Sequence, residues 1–288
     1  MKLKEMQSCA ADTLNYFIEV MPDVPFCADD IHIDFAPKSK MVERFKVLCK
    51  QYSPDRPISE HHEFAIENNN FGNAIIGRGQ SAIVLRTDYK IAVHNLRRIV
   101  FHELMHIYCS KTEMGGEHFI DVFGSGHTPD PDPEDAEYDG YLNAGHFIWS
   151  EFIAEYTATM KTNDQKHCFS DIAEVVFSLL DEMYFRNPES KYSCAMLCAY
   201  IISCADIDNV LENFANPGFI VPDDEPDGIA SMTALQSCLI YLHEHIQSEK
   251  PYKITEEFIA ELGKRYVDLL LKNSILKQPE WHIGRAGT

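Results

Sequence analysis

Apolar residues recur at spacings of three and four over residues 3 to 21, where Leu3, Met6, Ala10, Leu14, Phe17, Ile18 and Met21 fall on one stripe. That period predicts an amphipathic helix, and Pro22 and Pro25 end it. The period switches to two in Ile31-His32-Ile33-Asp34-Phe35, the alternation of a half-buried strand. It returns to helical spacing between Met41 and Tyr52 through Val42, Phe45, Leu48 and Cys49. Three short apolar runs follow: Phe64-Ala65-Ile66, Ala74-Ile75-Ile76 and Ala82-Ile83-Val84-Leu85. They are separated by Asn68-Asn69-Asn70 and Gly77-Arg78-Gly79, so they predict sheet segments joined by turns.

From Leu96 to Cys109 the chain has no Gly or Pro and is apolar around most of a helical circumference, which predicts a helix buried on more than one side and stopped by Gly115-Gly116. Between Thr112 and Met160 there is no Lys or Arg but there are eleven acids, six of them between Thr128 and Gly140 together with three prolines. That composition predicts an irregular acidic loop. Helical spacing then dominates in 147–160, 169–184, 192–205, 229–246 and 255–271, and the last dozen residues read as a loose tail. The expected class is α+β. An N-terminal α/β lobe with a small mixed sheet (1–112) and an acidic irregular loop (113–145) precede a mainly helical C-terminal lobe (146–288).

Charge narrows the function classes. In 288 residues, 25 Lys and Arg stand against 45 Asp and Glu, a net charge of −20, which repels nucleic acid and anionic lipid surfaces. No apolar run reaches the roughly 18 to 20 residues of a membrane span. Nine irregularly spaced cysteines do not form a disulfide framework, and Met1 to Ser8 lacks the apolar core of a secretory signal, so a cytoplasmic protein is expected.

Chemistry concentrates in His102-Glu103-Leu104-Met105-His106, which fits the HExxH pattern. Residues four apart share a helix face, so both imidazoles can meet one metal ion while Glu103 stands beside its open position. Ordinary core histidines bonded to carbonyls are the bland alternative. The strongly apolar helix argues against it, because a buried carboxylate and two imidazoles each need a partner. A catalytic zinc site uses three protein ligands. The extended three-histidine form is excluded, since Cys109 stands at its glycine position and Thr112 at its third histidine. Downstream, Glu151 and Glu155 lie one turn apart in the otherwise apolar run Trp149-Ser150-Glu151-Phe152-Ile153-Ala154-Glu155-Tyr156, a pair suited to one ligand and one supporting group.

These residues resemble the gluzincin class of zinc metallopeptidases, in which a later helix supplies a Glu to an HExxH helix. The resemblance covers about a dozen residues between His102 and Glu155, and Trp149-Ser150 departs from the Asn-Glu of the thermolysin pattern. It implies His102, His106 and Glu151 as Zn2+ ligands, Glu103 as general base and Glu155 as the acid that fixes a ligand imidazole, with Glu155 as the alternative third ligand. It also implies an α/β lobe ending in the active helix, followed by a helical lobe.

The expected reaction is hydrolysis of a peptide or protein substrate, with the acidic stretch drawing basic sequences. The oxyanion donor stays open among His118, His127, His146, Tyr156 and Tyr192. The second expectation is an inactive or structural-zinc protein that binds a partner. Asp130 to Asp139 lacks the glycine and terminal Glu of a calcium loop. Cys194, Cys198 and Cys204 read as packed core, and His243 and His245, two apart, face different ways on a helix.

Overall fold

The helical and strand periods map onto elements at nearly the positions their spacing assigns. The computed structural model describes residues 1–54, 58, 63, 66, 71–88, 90–112, 133–163, 168–187, 190–208, 226–248 and 254–272. Among them, the chain is mostly helical with one small mixed sheet, an α+β protein. Eight α-helices have their bounds among the described residues: α1 (Leu3–Val20), α2 (Met41–Tyr52), α3 (Val93–Lys111), α4 (Pro133–Thr162), α5 (Phe169–Asp181), α6 (Lys191–Ile202), α7 (Pro226–Ile246) and α8 (Glu256–Lys272). The strands are β1 (Ile31–Ala36), β2 (Gly72–Ile75) and β3 (Ser81–Arg86). No described helix is long and apolar enough to cross a membrane.

The chain divides into two compact units, one built on Met1–Gly116 and one on Glu117–Met160 with Asp164–Arg285. In the first, the sheet order is β1-β3-β2. β1 runs parallel to β3 with Ile31 opposite Ser81, and β2 runs antiparallel to it with Gly72 opposite Leu85. The central strand β3 is buried from Ser81 to Leu85, as a strand covered on both faces must be. One side of this sheet packs on α2 through Met41, Phe45, Leu48 and Cys49, joined by Ile66. α3 packs against α1 and the β2–β3 hairpin, and Phe17 of α1 meets Phe101 at 4.7 Å and Tyr108 at 6.0 Å.

Every described element of the second unit is helical. Trp149 of α4 meets the edges of His245 in α7 and Phe258 in α8, each at 5.3 Å between centroids. α4 and α8 also touch backbone to backbone. A Cβ placed on Gly145 would lie 1.9 Å from the Ile259 carbonyl oxygen, and one on Gly263 would lie 1.8 Å from that of Tyr141. Only glycine at both positions permits so close a crossing.

Two expectations are corrected. The acidic segment is not irregular up to 145, because α4 already begins at Pro133. Proline's fixed φ suits the first helical turn, where its missing N–H leaves no bond unmade, and acidic residues favour the positive end of a helix. A cluster of Pro and Asp therefore starts this helix as well as ending a loop. The run 64–66 was expected as a strand, whereas Glu63 and Ile66 are helical. Three apolar residues are too few for either period to show. Phe64, Ala65, the segment 113–132 and the C-terminal tail lie outside the described residues.

Candidate metal centre

α3 forms because a long run free of Gly and Pro carries apolar side chains around its circumference: Leu96, Val100, Phe101, Leu104, Met105, Ile107 and Tyr108 are all buried. Two side chains anchor its C-terminal end. Tyr108 Oη donates to the Pro22 carbonyl at 3.0 Å, and Lys111 Nζ donates to the carbonyls of Gly77 at 3.0 Å and Gly79 at 2.5 Å. With the helix locked on several sides, the rotation of His102, Glu103 and His106 about its axis is fixed. Glu103 is buried, 8% exposed, while His102 and His106 are partly exposed.

The two histidines bring their Nε2 atoms to 3.0 Å, with ring centroids 4.7 Å apart and planes at 79°. At that separation either one proton is shared or two lone pairs face a common cation. A tetrahedral ion with Zn–N bonds of about 2.0–2.1 Å holds its nitrogens about 3.3 Å apart, so the observed spacing needs only a few tenths of an ångström of opening. Glu151 of α4 completes the group, for the ligand atoms of His102, His106 and Glu151 all lie within 4.8 Å of one another. Among the described residues this is the one such group of His, Cys, Asp or Glu. Two imidazole nitrogens and one carboxylate oxygen can hold a divalent metal ion, so the residues present fit the kind of ion the motif implies.

Glu155 follows Glu151 by one turn and is not part of that group. It is 3% exposed, in a helical stretch where Phe152, Ile153 and Ala154 are fully buried. A carboxylate in that setting costs several kcal/mol unless it is paired, which is the circumstance of a supporting group rather than of a solvated surface acid.

The other residues named from the sequence fall in varied places. Burial pushes the His146 imidazole down to about 4, so it is neutral at pH 7. Tyr156 stacks on Phe152 at 5.6 Å, and Tyr192 is exposed. His118 and His127 lie outside the described residues. All nine cysteines are free thiols. Cys194, Cys198 and Cys204 are fully buried, and burial holds the Cys204 thiol up at about 12. His245 serves as an aromatic contact of Trp149.

Comparison of the chain with protein-family models, with curated proteins and with solved structures returns no match.

Proposed function

We propose that this protein is a zinc-dependent metallopeptidase of gluzincin type, with His102, His106 and Glu151 holding the metal and Glu103 acting as general base. The observation that carries the reading is the convergence of two imidazoles and a carboxylate within 4.8 Å, next in sequence to a glutamate that is buried without being a member of the group. A site that needed only to bind metal gains nothing from a fourth, buried acid beside its ligands. A hydrolytic site requires one.

Zinc bound there supplies Lewis acidity, lowering the pKa of water toward about 7 and polarising a carbonyl. The remaining steps belong to the chain. The Glu103 carboxylate accepts a proton from the attacking water and delivers it to the nitrogen of the departing amine, so an O–H and the peptide C–N bond break as a C–O and an N–H bond form. Its low exposure keeps bulk water from competing for that proton. Glu155 holds a ligand imidazole in its metal-binding tautomer, the usual work of an acid one shell out. The order of elements supports the class: the HExxH helix is the last described helix of the mixed-sheet unit, and the glutamate helix is the first described helix of the helical unit.

Substrates are peptides or proteins, and a net charge of −20 favours basic ones. Nine free thiols favour a reducing, cytoplasmic setting.

The test is metal analysis of the purified full chain, followed by chelator-sensitive cleavage of a peptide library. Metal analysis separates zinc from iron(II), which the same donors can hold. Glu103→Gln should lower kcat by about 10²–10⁴-fold with the metal retained. Stoichiometric zinc with no cleavage by the unaltered protein would assign the metal a structural role and end the peptidase reading.

A further inference from the structure

Gly72 opens β2, the edge strand against which α3 packs, and pairs with Leu85 of β3. Its φ lies outside the left-handed region and its extended strand geometry is open to any L-residue, so the backbone does not call for glycine. The space does. A Cβ at this position would stand 3.0 Å from both Cγ and Oε1 of Glu103 and 3.1 Å from Cγ2 of Ile99. Non-bonded carbon contacts settle at about 3.5–4.0 Å, so the Glu103 carboxyl rests in the space that a side chain at residue 72 would fill.

The helix and the strand that flank the carboxyl have little freedom to give way, so the side chain itself must shift. It sits on a helix whose neighbouring turns are fixed by Val100, Leu104 and Ile107, all at 0% exposure. β2 is held in turn by its antiparallel register with β3 and by the bond from the Arg86 amide to the Phe71 carbonyl at 2.9 Å. Two rigid elements therefore face each other across a gap sized for a glutamate against a bare backbone.

We propose that Gly72 is a positioning residue for the Glu103 carboxylate: the absent side chain sets how close the acid lies to the sheet edge, and so where its oxygens stand relative to His102 and His106. The catalytic consequence rests on the reading of Glu103 as general base, whereas the contact itself does not. A methyl at residue 72 displaces the carboxyl by a few tenths of an ångström. Displacements of about 1 Å cost on the order of 10²-fold in rate, so a loss of several-fold to tenfold is expected.

The experiment introduces Gly72→Ala into the full chain, alone and with Glu103→Ala. On metal-free protein, Gly72→Ala should lower Tm by a few degrees, the shift that a modest overpacking strain produces in a chain of this size. In the Glu103→Ala background the same change should cost at most half as much, because both Glu103 contacts are gone and only that with Ile99 at 3.1 Å remains. Folding of Gly72→Ala only in the Glu103→Ala background would make the same point. Equal losses in both backgrounds, or failure to fold in both, would overturn the proposal.

On zinc-loaded protein with otherwise unaltered residues, Gly72→Ala should reduce kcat about five- to tenfold with KM within about twofold and zinc content unchanged. A kcat equal to that of the parent protein would also overturn it. If the parent cleaves nothing, the base assignment fails on its own, and the Tm comparison still decides whether Gly72 places the Glu103 side chain.

Discussion

The Nε2 atoms of His102 and His106 stand 3.0 Å apart across one turn of α3, close enough that both lone pairs can turn toward a single cation. A metal bound there stabilises the folded chain, because the unfolded chain has no such pairing. Zinc at about 100 times its Kd adds about 2.7 kcal/mol, so thermal unfolding should occur several degrees higher with zinc than after chelation. His102→Ala should abolish the zinc-dependent part of Tm while leaving the metal-free Tm close to that of the parent. Equal Tm with and without zinc in the unaltered protein would refute the site.

Glu151 and Glu155 differ in burial and in membership of the metal group, and the difference sets their mutational signatures. Glu151→Ala removes a member of the proposed ligand set and should weaken zinc affinity beyond the roughly 10–100-fold that loss of a supporting group costs, whereas Glu155→Ala should fall within that range. Competition against a chromophoric chelator measures both. The reverse ranking would exchange their roles.

Gly145 and Gly263 make a prediction opposite to helix propensity. An exposed helical Gly→Ala change gains roughly 1 kcal/mol, but here the new methyl meets carbonyl oxygens at 1.9 and 1.8 Å, and backbone cannot swing aside. Gly263→Ala should lose about 2–3 kcal/mol in urea unfolding. A stability gain would show that α4 and α8 do not cross so closely.

The burial of His146 sets the sign of a pH dependence. Burial holds its folded value down at about 4, below the unfolded value of about 6.5, so as pH falls the unfolded chain takes up the proton first. The stabilisation is complete above about pH 6.5 and is lost as pH falls toward 4, with a slope near 1.4 kcal/mol per pH unit and a total on the order of 3 kcal/mol. Urea unfolding at pH 7 and pH 5 should show the loss in the parent chain, and His146→Phe should reduce it. An unchanged difference in that variant would assign the acid sensitivity to other groups.

The motif was legible because it is local. His102 and His106 share a face through helical geometry alone, and an apolar run with neither Gly nor Pro makes the helix certain before any fold is known. Glu151 was legible as a candidate because an acid amid Phe152, Ile153 and Ala154 has to serve something, but spacing could not choose between it and Glu155. The start of α4 at Pro133 was misread, since Pro and Asp mark loop ends and helix starts alike.

Sequence by itself determined the helical and strand periods, the acidic balance and the two imidazoles one turn apart, all consequences of interactions within a few residues. Tertiary structure decided which distant acid stands with those imidazoles, and what a side chain at residue 72 would meet. Both relate residues far apart in the chain, which no local pattern of spacing can bring together.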